Sequence, residues 1–150
     1  MQLASQVNIK NRKAKFEFHL KDTYVAGLVL MGSEIKSIRL SKVNMQDAYC
    51  FVESGEVWIV NLHISSYDNA GFVNHEPLRR RKLLLNKKEI EKIDKKLKEK
   101  GLTLVPLRLF TNNKGLVKLE IAIGQGKKLF DKRDDIKQKD MKRDMQRLKY

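Results

Sequence analysis

Three histidines and one cysteine are the side chains best suited to metal or nucleophilic chemistry, and their spacing supports neither. His19, His63 and His75 form no His-x-x-x-His pair and have no cysteine beside them, so the ligand patterns of zinc sites are missing. They read as lone histidines on strands. Cys50 is the single cysteine, which excludes an internal disulfide and points to a reducing, cytoplasmic compartment. There is no Gly-rich phosphate loop or nucleophile elbow, and "GQG" before Lys127 is too short to stand for one. No enzyme activity, cofactor or metal is therefore expected.

The chemistry that the residue types do offer is the binding of phosphates by lysine and arginine. Residues 1–78 carry eight Lys/Arg and eight Asp/Glu, whereas residues 79–150 carry 24 and 10, so the whole net charge of +14 lies in the second half. Such a one-sided field suits a polyanion; a Lys-rich coat for solubility or heat stability would explain the charge but not its asymmetry. Nucleic acid is favoured over a membrane surface, because no strongly amphipathic segment with an apolar Trp/Phe/Leu face occurs. The first 16 residues lack the apolar run of a signal peptide, and no segment approaches the roughly 20 apolar residues that cross a bilayer.

The densest mixture of charge lies at the end, where residues 127–150 hold ten Lys/Arg, five Asp/Glu and neither Gly nor Pro. Helix is permitted throughout this tail by local propensity. Its apolar residues Phe130, Met141, Met145 and Leu148 make only a thin stripe, and the like charges Lys128/Lys132, Lys139/Arg143 and Arg143/Arg147 stand four apart. Asp135 to Lys139 pulls the other way by a few tenths of a kcal/mol, roughly. The tail is expected to be disordered when free and to become helical when phosphates neutralise its basic faces.

The elements that must position these groups are mostly strands. "AKFEFHLKD" alternates, with Phe16, Phe18 and Leu20 on one face, and reads as a strand. "YVAGLVLMG" is apolar throughout and reads as a strand buried on both sides, with Gly27 allowing a bend or a close approach. "GSEIKSIRL" offers Ser33 as an N-cap for a short helix. Two strands between Met45 and Ile64 join at Ser54-Gly55, and Asn86 with Glu89 forms a capping box for a helix that Gly101 ends. "LTLVPLRLF" and "LVKLEIAIG" make a hairpin turning at Asn112 to Gly115. The expected fold is mainly β, a small antiparallel β-barrel resembling the oligonucleotide-binding fold, with two or three short helices, over residues 1–126 and a basic tail over 127–150.

Taken in order, "NRKAKFEF" at Asn11, "AGLVLMGSEIKSIR" at Ala26, "KVNMQDAY" at Lys42, "NLHISSY" at Asn61, "NHEPLRRRKLLLNKKEI" at Asn74, "GLTLVPLRLF" at Gly101 and "GKKLFDKRDDIK" at Gly126 resemble small protein B, the tmRNA-binding (SsrA-binding) family of bacterial trans-translation. Seven segments at compatible spacing cover nearly the whole chain. The resemblance implies a non-enzymatic, monomeric RNA-binding protein whose barrel grips the tRNA-like domain of tmRNA. The tail would fold in the empty mRNA channel of a stalled ribosome, against ribosomal RNA of the decoding centre.

Carried over by position, the RNA face implied by the resemblance comprises Asn11, Arg12, Lys13, Glu34, Lys36, Arg39 and Lys118, with Lys127 and Lys128 at the entry to the tail. Gly126 matches a hinge where glycine lets the chain turn, and Asp131, Lys132, Arg133, Ile136 and Lys137 match the decoding-centre motif, with Phe130, Met141 and Arg143 on the same ribosome-contacting tail. Val25 stands where the family usually has Glu, and Lys139 where it favours Arg, which keeps the charge and loses the guanidinium fork. The run Arg79 to Arg81 with Lys82 could touch RNA or cover the barrel with its aliphatic stems. A structural ribosomal or ribosome-assembly protein would share the charge asymmetry and is the alternative reading.

Overall fold

The computed structural model describes residues 6–68 and 73–147, without the side chains of 129–131 and 144–147. The chain runs β1 (Asn8–Lys10), α1 (Arg12–Glu17), β2 (Phe18–Leu28), α2 (Gly32–Arg39), β3 (Val43–Asn44), β4 (Tyr49–Glu53) and β5 (Glu56–Val60). It continues with β6 (His63–Ile64), β7 (Arg81–Leu84), α3 (Lys87–Leu97), β8 (Leu102–Thr111), β9 (Val117–Gly126) and α4 (Leu129–Arg147). The main sheet is antiparallel with strand order β1-β8-β4-β5-β7-β2-β9, and a further β8–β9 pairing closes it into a ring. The mainly β, closed antiparallel architecture expected from the alternation is the one the chain adopts.

Closure needs strands that bend. β2 slips register against β9 between Leu20 and Thr23, and β8 slips between Pro106 and Arg108, where proline has no N–H to give to a ladder. Gly124 lets the seam close tightly: a Cβ there would meet Phe18 Cβ at 3.1 Å and Val105 Cγ2 at 3.2 Å. Ala26, Ile38, Val57, Ile59, Leu62, Ile64, Leu109, Leu119, Ile121 and Ile123 are wholly buried and form one core with Ile93 of α3.

Local chemistry sets the turns. Ser54 and Gly55 take φ 51° and 75° at the β4–β5 hairpin, the left-handed pair that matches strand twist. Asn86 Oδ1 accepts from the N–H of Glu89 at 2.9 Å while Glu89 Oε1 accepts from the N–H of Asn86 at 3.2 Å, the expected capping box of α3. That helix stops at Leu97, and Gly101 (φ 83°) then turns the chain into β8. Asn112 Oδ1 accepts from the N–H groups of Lys114 and Leu116 and shapes the β8–β9 turn.

Three local expectations are corrected. Residues 12–17 are helix, so the strand begins only at Phe18: the N–H of Asn11 donates to Leu107 O at 2.8 Å and its Nδ2 to Pro106 O at 2.9 Å, docking α1 on the β8 bulge and burying Ala14. The apolar run 24–32 is buried on one face only, since Val25 and Val29 are about half exposed while Ala26 between them is buried. The N-cap of α2 is Met31, whose N–H donates to Glu34 Oε1 at 2.8 Å; Ser33 lies inside the first turn and its hydroxyl faces His75 instead. The tail is a single helix here, the form that the sequence reading kept for the bound state, and Ile136 and Met141 on it face water.

Candidate nucleic-acid interface

The basic residues of the first helix stand at the meeting of two grooves. One, of about 720 Å³, runs between α4 and the α1/β8 wall and is lined by Lys10, Arg12, Lys15, Lys127, Lys139 and Lys142 among others. The other, of about 340 Å³, sets Lys10, Asn11, Arg12 and Lys13 against Asn44 and Gln46. The two share Lys10, Asn11 and Arg12, so the surface is continuous. Cations for phosphates beside amides for base edges and ribose hydroxyls are what such a surface needs to hold RNA. Lys10, Lys15, Asn44, Gln46 and Lys142 were not singled out from sequence, although Lys10 and Lys15 flank the basic run at Arg12 and the two amides lie in the quoted "KVNMQDAY".

The other sequence-derived residues divide by burial. Lys36 is exposed and sits over the Tyr67 ring at 5.3 Å, and Arg39 on the same helix is also exposed. Lys118 pairs across strands with Gly27, and its Nζ lies 3.8 Å from where a Cβ of Gly27 would be, so the glycine leaves room for the ammonium on the outer face. Lys36, Arg39 and Lys118 line neither groove. Asn11 belongs to the grooves, yet its amide nitrogen is engaged in holding α1 to β8.

Glu34, carried onto the RNA face by the resemblance, lies inside the fold in this structure. It is wholly buried, with Oε1 accepting from Met31 N and from Arg79 Nε (2.9 Å), and Oε2 accepting from Arg81 Nε. Burial pushes its carboxyl upward, but the bonds from Arg79, Met31 N–H and Arg81 outweigh it and hold the group below the usual carboxylate range. The basic run from Arg79 to Lys82 has partners within the fold. Arg81 is also wholly buried and donates to Leu62 O (2.6 Å) and Pro77 O (3.1 Å). Arg80 pairs with Glu53 and stacks over Trp58 (4.1 Å) and Phe51 (5.1 Å), and Lys82 pairs with Glu56 at 3.0 Å.

His75, read as a strand residue, lies outside any strand and is buried. Its Nε2 bonds to Ile64 O at 2.8 Å, which requires the proton there, so Nδ1 accepts from the Ser33 hydroxyl at 2.8 Å. With Ser37 Oγ donating to Ser65 O at 2.6 Å, these bonds tie Ile64, Ser65 and His75 to α2. Cys50 is buried, and desolvation pushes its thiol far up, away from reactivity. Among the described residues no three His, Cys, Asp or Glu side chains gather as a metal site, and no helix is long and apolar enough to cross a membrane.

In the tail, Lys128, Arg133, Lys137 and Arg143 are exposed, Arg143 pairing with Asp140 at 2.6 Å. Lys127 pairs with Asp135, and Lys132 stands 6.0 Å over the Phe16 ring. The side chains of Phe130, Asp131 and Met145, and all of Leu148, fall outside the described residues. Gly126 has no positive φ and a Cβ there would meet nothing within 4 Å, so this conformation makes no turn that requires glycine; the residue still belongs to β9.

Fold and surface together define a small closed-sheet protein with a polyanion-attracting groove and a basic helical tail. The comparisons with known proteins make the assignment specific. The family model described as "SmpB protein" matches residues 8–150. The SsrA-binding protein of Cytophaga hutchinsonii is 53% identical over 148 residues, 99% of this chain and 97% of that protein, and that of Bacteroides thetaiotaomicron is 54% identical over 142 residues, 95% of each. A chain of the solved structure described as "tmRNA-SmpB: a journey to the center of the bacterial ribosome" superposes with a TM-score of 0.69 at 38% identity, covering 81% of this chain and 85% of that one. This chain belongs to the SmpB family.

Proposed function

We propose that the protein binds the tRNA-like domain of tmRNA and delivers it to stalled ribosomes for trans-translation, acting in the bacterial cytoplasm without catalysis of its own. The observation that carries this reading is the identity of 53% to a whole SsrA-binding protein, with 99% of this chain aligned. The basic surface supports it physically: Arg12 and Lys13 in the grooves, and Lys36, Arg39 and Lys118 outside them, are cations with no carboxylate partner across the sheet or on another element among the described residues. In this reading they meet the RNA backbone, and Glu34 acts from behind by fixing α2.

The chain divides into an RNA-gripping body, residues 1–126, and a ribosome-sensing tail, 127–150. Lys128, Lys132, Arg133, Ile136, Lys137, Met141 and Arg143 are the tail groups that would meet ribosomal RNA in the empty mRNA channel, where helix formation gains the partner it lacks in water. The test compares full-length protein with a version ending at Gly126. Both should bind the tRNA-like domain similarly across a salt series, in preference to an ordinary tRNA, while only the full-length protein supports tagging on stalled ribosomes. Stoichiometric co-sedimentation with every ribosome, without preference for that RNA, would favour a structural ribosomal protein instead.

A further inference from the structure

Two arginines stand over aromatic rings on the sheet, and they are held in different ways. The guanidinium of Arg80 is stacked over Trp58 and Phe51, and one of its terminal nitrogens is tied to Glu53. The guanidinium of Arg108 lies 4.0 Å from the centre of the Phe110 ring, but there it is Nε that donates, to Glu120 Oε2 at 3.1 Å. Both terminal amino groups of Arg108 are thereby left without a protein partner among the described residues. A ring beneath and a carboxylate at the side fix the plane of this side chain and leave its far edge open. Leu109, Leu119 and Ile121 belong to the core, so the alternation of β8 and β9 sends Arg108, Phe110, Lys118 and Glu120 to the outer face. The register makes Lys118 the cross-strand neighbour of Phe110, and sets Gly27 and the half-exposed Val25 of β2 beside Lys118 and Glu120. Lys118 has no ion pair among the described residues, and Gly27 has no side chain to cover it.

We propose that Arg108 is a nucleobase contact: an unpaired base of the bound RNA stacks on the guanidinium face turned away from Phe110, and Lys118 takes a phosphate of the strand that carries it. Its terminal amino groups are then placed to donate to oxygen acceptors along the same strand. A planar cation for the base beside an ammonium for the phosphate matches the two things that a single unpaired nucleotide offers. Phe110 and Glu120 are positioning residues, which hold the plane before the RNA arrives and so lower the cost of ordering it. Phosphate contacts alone attract any polyanion, whereas a stacking site favours RNA that presents an unpaired base at this place. Every group involved precedes Gly126, so the version ending there keeps the site. The inference deepens the RNA-binding reading given above and rests on it.

The experiment measures the affinity of full-length wild type, Arg108→Lys and Arg108→Ala for a transcript of the tRNA-like domain across a salt series. It is repeated with transcripts that each carry one abasic nucleotide at an unpaired loop position. Lysine keeps the charge and loses the plane. Arg108→Lys should bind roughly 5- to 50-fold weaker with its salt slope unchanged, and Arg108→Ala should bind as weakly with a shallower slope. One abasic position should weaken the wild type by a similar factor and leave Arg108→Lys nearly unaffected. Because that comparison reads the coupling between one base and Arg108, a loss of stability alone does not reproduce it. Binding by Arg108→Lys within about twofold of the wild type would make the residue a phosphate contact or a cross-strand ion pair only, and would overturn the inference. So would the lack of any abasic position whose effect depends on Arg108. Failure of the wild type to bind the intact transcript would instead overturn the RNA reading, and this inference with it.

Discussion

Substitution of Glu34 by Gln tests whether that residue serves the fold or the RNA. Gln keeps the shape and removes the charge. One of its two positions must become an NH2 group, which faces either the Nε donor of Arg81 or the donors Met31 N–H and Arg79 Nε on the other side. Arg81 is wholly buried, and its remaining bonds go to the carbonyls of Leu62 and Pro77, so no other carboxylate neutralises it among the described residues. Breaking one side of a buried ion pair costs about 3–5 kcal/mol. In a body of this size that corresponds to a fall in Tm of roughly 10–20 °C. The assay is thermal unfolding by circular dichroism, joined to RNA affinity measured at 10 °C, where the variant remains folded. Large loss of Tm with affinity nearly unchanged is expected. A variant that melts with the wild type but binds the tRNA-like domain more than about tenfold weaker would refute the structural role.

Three further outcomes follow from named groups. Because the Glu34 carboxyl is held below its unfolded value of about 4.3, its contribution is complete above that pH and is lost as pH falls through the lower folded value; the Tm of the wild type should drop below about pH 4 more steeply than that of Glu34→Gln. Asn86→Ala removes the reciprocal cap of α3 and should cost about 1 kcal/mol in denaturant unfolding, with Asn86→Gly costing only a few tenths. Cys50, buried with its thiol raised, should resist thiol reagents in the native protein and react at the rate of unfolding; fast native labelling would show that β4 opens readily.

Much of this molecule was legible before folding. The Asn86 box, the Ser54-Gly55 turn and the Asn112 turn depend on partners no more than four residues away, and the charge division and the ordered segments that identify the family are properties of the chain alone. What the alternation misjudged was decided by distant partners. "KAKF" has strand periodicity, yet Asn11 finds the carbonyls of Pro106 and Leu107 on a bulge some 95 residues away, and that docking makes helix the better use of residues 12–17. Nothing local distinguishes Arg81 from Arg79 or Arg80, nor Glu34 from an exposed glutamate. Only when β7 joins β5 and β2 does Arg81 turn inward to meet Glu34, 47 residues earlier, because its other neighbours there are carbonyls and apolar side chains. Candidates for phosphate contact could be named from charge and resemblance, whereas which charges are buried against partners was decided by closure of the ring. Burial spends a charge on a partner, and only the tertiary structure determines which charges are buried.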